Sequence, residues 1–111
     1  MPDPKIALAA VEIFCEARVP QQQRDEVRLE CTHRGNTITI RERRAPWSPE
    51  MPDWTSLKVA QLRFDPGSRQ WSLYCCDRNE RWWPYEGVGN SVTVDPLLAE
   101  IDADPTGIFW G

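Results

Sequence analysis

The sequence predicts an α+β fold: an N-terminal helix packed on a curved, roughly five-stranded antiparallel β-meander, closed by a short C-terminal helix and a docked tail. Three observations point there. Short segments between Arg24 and Tyr85 alternate apolar and polar residues, with Gly, Pro, Asn and Asp between them, the mark of antiparallel strands joined by turns. The first eighteen residues are instead apolar with a single polar stripe, as in a helix. The chain then ends on a second Asp-Pro helix start and an apolar tripeptide. At 111 residues the expectation is one domain over residues 1–111 with its own core.

Asp3-Pro4 supplies an N-cap residue and a proline at the first helical position. Lys5, Ala9, Glu12 and Glu16 form a narrow stripe, and Ile6, Leu8, Ala10, Val11, Ile13, Phe14 and Cys15 cover the rest. A surface helix hides about 100° of its circumference, so this one is expected to be wrapped by the fold or to form a dimer interface. Arg18 suits the negative end of the helix dipole, and Pro20 blocks continuation.

The first strand is expected over about Glu26–His33, with Val27, Leu29 and Cys31 on one side and Arg28, Glu30 and Thr32 on the other. Arg34-Gly35-Asn36 makes the turn. The second, Thr37–Arg43, sends Ile38 and Ile40 inward and Thr37, Thr39, Arg41 and Arg43 outward. Ala45–Thr55 is a proline-rich loop, with Trp47 and Trp54 expected over a sheet end. The third strand, Ser56–Phe64, places Ala60, Leu62 and Phe64 one way and Val59, Gln61 and Arg63 the other. Asp65-Pro66-Gly67 is a strong turn signal. Gln70–Cys76 follows with Trp71, Leu73 and Cys75 inward and Ser72, Tyr74 and Cys76 outward. Arg81–Glu86 is short, and Pro84 makes it an edge strand. After the loop Gly87–Ser91, Asp95-Pro96 opens a helix over Leu97–Ala103 that buries Leu97, Leu98 and Ile101. Ile108-Phe109-Trp110 is expected to seal the core.

The order RDEVRLECTHRGNTITIRERRAPW, AQLRFDP, WSLYCCDRNERW and LLAEIDADPTGIFWG resembles a small bacterial family known as domain of unknown function 3024. The likeness covers nearly the whole chain, and DADPTGIFWG is its most specific part. It implies a stand-alone bacterial protein and transfers no catalytic or binding residue.

Composition bounds the function further. Hydrophobic residues make up 41% and charged residues 27%, values of a folded globular chain. No charged leader precedes an apolar run, and no apolar stretch approaches the roughly 20 residues that cross a bilayer. A cytoplasmic protein with no membrane partner and four reduced cysteines is expected. Net charge is −4, yet Arg18 to Arg81 holds eleven Arg and one Lys against nine acids, so the strands are mildly basic. Global steering toward nucleic acid is not expected from that balance, but a local anion site is compatible with it.

Metal binding has little support. Cys31 and His33 share a strand face, but no CxxC spacing occurs, and the adjacent Cys75 and Cys76 point to opposite faces. Neither a metal nor another cofactor is expected, and Cys15, Cys31 and one of Cys75 and Cys76 are taken as small core residues. A Cys–His nucleophile pair would need His33, the single histidine, whose side chain runs parallel to that of Cys31. An enzyme is therefore the remote reading. Asp102 and Asp104 oppose the dipole of the second helix; solvated charges at a helix end are expected there, with an Arg of the sheet as the alternative partner. Gly87-Val88-Gly89-Asn90 lacks the strand, helix and Lys of a phosphate loop.

Arg28, Arg41, Arg43, Arg63 and Tyr74 share one sheet face, with Trp82 close by. Guanidinium groups that grip phosphate or carboxylate beside rings that stack are the means by which sheets hold single strands. A solvated face of cross-strand ion pairs, such as Glu30 with Arg41 or Arg43, is the ordinary alternative. The expected function is a non-enzymatic binding or accessory protein whose Arg/aromatic face contacts nucleic acid or an acidic protein surface. A homodimer through the first helix is the alternative.

Overall fold

The computed structural model describes residues 4–46, 48–50 and 53–110. Helix α1 (Pro4–Arg18) leads through a 3-10 turn at Gln21–Gln23 into β1 (Val27–Arg34). Strands β2 (Thr37–Arg44), β3 (Thr55–Asp65), β4 (Gln70–Cys76) and β5 (Trp82–Pro84) follow, then α2 (Asp95–Ala103). The strands pair in chain order as one five-stranded antiparallel sheet, β1-β2-β3-β4-β5. The architecture is the α+β meander that the sequence predicts. Gly35 turns the first hairpin with φ +59°, a conformation glycine adopts without steric cost. Pro84 sits in the edge strand, which is shorter than Arg81–Glu86. Among the described residues, no helix is long and apolar enough to cross a membrane.

The two sheet faces differ in kind. Ile38, Ile40, Leu62, Trp71, Leu73 and Cys75 form the inward rows, and Ala7, Val11 and Cys15 of α1 pack on them with Leu97, Leu98 and Ile101 of α2. One irregularity decides what the other face presents. Ile40 pairs with Ala60 and Arg41 with Lys58, so Val59 is an extra residue in β3. At such a bulge two residues oppose one, and the side-chain phase of the strand shifts. Val59 is therefore buried, at 3% exposure, and does not face outward with Gln61 and Arg63. Lys58 takes the outward position opposite Arg41.

Helix α1 departs from the wrapped expectation. Its core stripe is Ala7, Val11 and Cys15, while Ile6 and Ile13 stay 69% and 67% exposed. The C-terminal end closes as expected, through specific contacts. Asp104 ends α2 in the left-handed region with φ 42°. Its carboxylate accepts the backbone N–H groups of Phe109 (3.1 Å) and Trp110 (3.0 Å). The Trp110 indole donates to the Ile101 carbonyl at 2.7 Å. Arg18 joins both layers: it pairs with Asp102 and lies 4.3 Å over the Trp110 ring. Asp102 thus finds its arginine on α1, not on the sheet. Phe109 is buried and Trp110 half-buried, whereas Ile108 remains exposed. Trp47 lies outside the described residues, and Trp54 packs beneath Arg28 at 4.5 Å.

Candidate functional site

The strand register assembles the outward face row by row. Arg28 pairs with Arg43 and then Ser56, and Glu30 pairs with Arg41 and then Lys58. Thr32, Thr39, Gln61, Tyr74 and Pro84 form the next row, followed by Arg34, Thr37, Arg63 and Ser72. Trp82 sits opposite Cys76 at the far edge. All six residues singled out from sequence, Arg28, Arg41, Arg43, Arg63, Tyr74 and Trp82, therefore share this face. The register adds Lys58 and Arg34. Six cations stand on the face against two carboxylates, Glu30 and Asp65. The Asp65 carboxylate is engaged with the Gly67 N–H and the Ser68 hydroxyl of the adjoining turn.

Directly opposed side chains on a strand pair lie about 5 Å apart at Cβ, and like charges there are destabilising. This sheet contains two such oppositions, Arg28 with Arg43 and Arg41 with Lys58. Glu30 compensates only part of the charge, through a 3.3 Å contact with Arg43 Nη1. Both partners are substantially exposed, so that pair contributes little. Arg43 Nε is buried without a hydrogen-bond partner among the described residues. Arg41 stands between Glu30 and Lys58 in the register.

Three of the remaining cations, Arg63, Lys58 and Arg28, are held by rings and carbonyls. Arg63 lies 3.7 Å over the Tyr74 ring and donates from Nε to Gln61 at 2.7 Å, and Gln61 in turn donates to Thr39 at 3.0 Å. Lys58 donates to the Glu80 carbonyl at 3.0 Å and stands 5.7 Å from the Trp82 ring. Arg28 donates to the Arg24 carbonyl at 2.8 Å. These contacts hold the Arg28 and Arg63 guanidinium groups in place beside rings, an arrangement suited to oxyanions and flat rings. The β4–β5 hairpin that carries Trp82 is tied by Asp77. Its carboxylate takes the Trp83 indole N–H at 2.8 Å and the backbone N–H groups of Asn79 and Arg81. Those donors, the indole foremost, hold the Asp77 carboxyl down at about 2.

The thiols of β4 point to opposite faces. Cys75 is buried and Cys76 half-buried on the cationic side, and burial raises the pKa of both. A thiol so shifted is a poor nucleophile. His33 is exposed near the end of β1. Among the described residues, no three His, Cys, Asp or Glu side chains converge as metal ligands would.

Sequence alternation found the arginines and the rings but missed Lys58. The signal was present in Leu57-Lys58-Val59-Ala60-Gln61-Leu62. Apolar residues occupy 57 and 59, then 60 and 62, and that change of phase marks the bulge.

Comparison with known proteins gives one match: the family described as Domain of unknown function (DUF3024) aligns with residues 2–111. No curated protein and no solved structure matches the chain.

Proposed function

The chain belongs to the DUF3024 family, and from that premise we propose that it is a non-enzymatic binding module of the bacterial cytoplasm, holding single-stranded nucleic acid across the open sheet face. The observation that carries this reading is the pair of like-charge oppositions, Arg28 with Arg43 and Arg41 with Lys58, beside Tyr74 and Trp82. A face serving only solubility would alternate its charges across strands. Here the repulsion is relieved when a polyanion lies along the rows, its phosphates between the cations and its bases against the rings.

Fluorescence anisotropy with labelled oligo-dT and oligo-U tests this. Four phosphates met by Arg28, Arg41, Arg43 and Lys58 predict a slope of about −3 in log affinity against log salt. The Arg41→Ala/Arg43→Ala variant should bind far more weakly, with the slope reduced to roughly −1.5. Absence of binding at low salt, or equal binding by the variant, rejects the proposal. Binding to an acidic protein instead would leave the face and change its partner.

A second reading has one observation in its favour. Ile6 and Ile13 stand exposed one helical face apart from the core stripe of α1, as a homodimer interface through this helix requires. Sedimentation that gives the mass of one chain removes it.

A further inference from the structure

Two of the four thiols meet between the layers. Cys15 lies on the buried stripe of α1, one turn beyond Val11, and Cys31 lies on the inward row of β1 beyond Leu29. α1 packs on β1, which brings the two thiols to one site. Both line one open hollow with Glu12, Glu16, Leu29 and Glu30. Cys15 is buried, while Cys31 is half-exposed and within reach of a small solute.

The pair is asymmetric. The neighbouring Cys15 thiol lowers the pKa of Cys31, while the Cys31 thiol, burial and the charges of Glu12 and Glu16 raise that of Cys15. Cys31 is the reachable thiol, and Cys15 lies behind it. An exposed attacking thiol with a resolving thiol behind it is the usual arrangement of an oxidation-sensitive site. Cys75 and Cys76 lack it: each points away from the other and bonds a carbonyl, of Trp83 and Asp77 respectively.

We propose that Cys15 and Cys31 are a modification site for hydrogen peroxide, closing on oxidation into a disulfide that ties α1 to the edge strand β1. The Cys31 thiolate attacks one peroxide oxygen. The O–O bond breaks, the departing oxygen takes a proton and leaves as water, and Cys31 becomes a sulfenic acid. The Cys15 sulfur then displaces the hydroxyl, which leaves as a second water with the Cys15 proton. Two thiols lose two electrons in all, and one peroxide gains them. A disulfide requires Cβ atoms about 4 Å apart. Both thiols line the same hollow, and closure would draw α1 toward a strand that has a neighbour on one side only.

This proposal does not depend on what the cationic face binds. The test treats the full-length protein with one equivalent of hydrogen peroxide and counts free thiols. Wild type should fall from four to two, and a digest without reductant should give the Cys15 and Cys31 peptides joined, two hydrogens lighter than their sum. Cys15→Ser should stop at a sulfenic acid on Cys31 that dimedone captures. Cys31→Ser should keep its three thiols under the same treatment. Thiol loss without the joined peptide, a joined peptide containing Cys75 or Cys76, or a link only between two chains would overturn it. The wild-type digest alone decides the matter if a serine variant misfolds.

Discussion

Lys58 and Arg41 oppose each other on β3 and β2 with no carboxylate between them, and their neighbours Arg28 and Arg43 repeat the arrangement. If binding explains that choice, stability and affinity should separate on substitution. Lys58→Glu turns a repulsive cross-strand pair into an attractive one, a change of about 0.5 kcal/mol, or roughly 2–4 °C in melting temperature for a domain of this size. The lost Glu80 contact offsets part of that gain. The expected outcome in a thermal melt is a protein as stable as wild type or more so, whose oligonucleotide affinity falls several-fold. A clear loss of stability would instead make Lys58 a structural residue. At this scale the sequence was informative about arginine and reticent about cysteine. Strand parity brought Arg28, Arg41, Arg43 and Arg63 to one face. The Cys15–Cys31 contact joins a helix to a strand, and no local pattern encodes how those two elements dock.

Elements were legible wherever period or punctuation was strong. Asp65-Pro66-Gly67 and Gly35-Asn36 gave the hairpins, and alternation gave β1, β2 and β4 nearly to their ends. β3 was harder, because its bulge shifts the phase in mid-strand, and a reading of one fixed period assigns Val59 to the wrong face. Helix α1 misled for a different reason. Its composition sets how much apolar surface it carries, but the width of sheet beneath it sets how much is covered, and Ile6 and Ile13 lie beyond that width. Of the tail, Phe109 and Trp110 leave water while Ile108 does not, and Asp104 shows how the first two are held. One carboxylate caps the turn that brings Phe109 onto Tyr85, their ring centroids 5.0 Å apart. Tyr85 in turn donates to Glu100 at 2.6 Å. Phe109→Ala should therefore cost about 3 kcal/mol in denaturant unfolding. A loss under 1 kcal/mol would mean that the tail rests on the core without holding it.

Across the whole molecule, charge follows the layers. The helical layer from α1 to Asp104 carries six carboxylates against Lys5 and Arg18, while the outward sheet face carries six cations against two carboxylates. A net charge of −4 therefore conceals a molecule with opposed sides. Such a distribution would orient a polyanion toward the sheet and repel it from the helices, which total charge taken alone does not predict. The most direct test is a 1H–15N NMR titration with a short single-stranded oligonucleotide, because indole and guanidinium N–H groups report on separate parts of the fold. Binding across the sheet should shift the Trp82 indole and the Nε–H signals of Arg41, Arg43 and Arg63, while the Trp71 and Trp110 indoles stay in place. No shift at low salt, or shifts confined to Trp110 and α1, would contradict it.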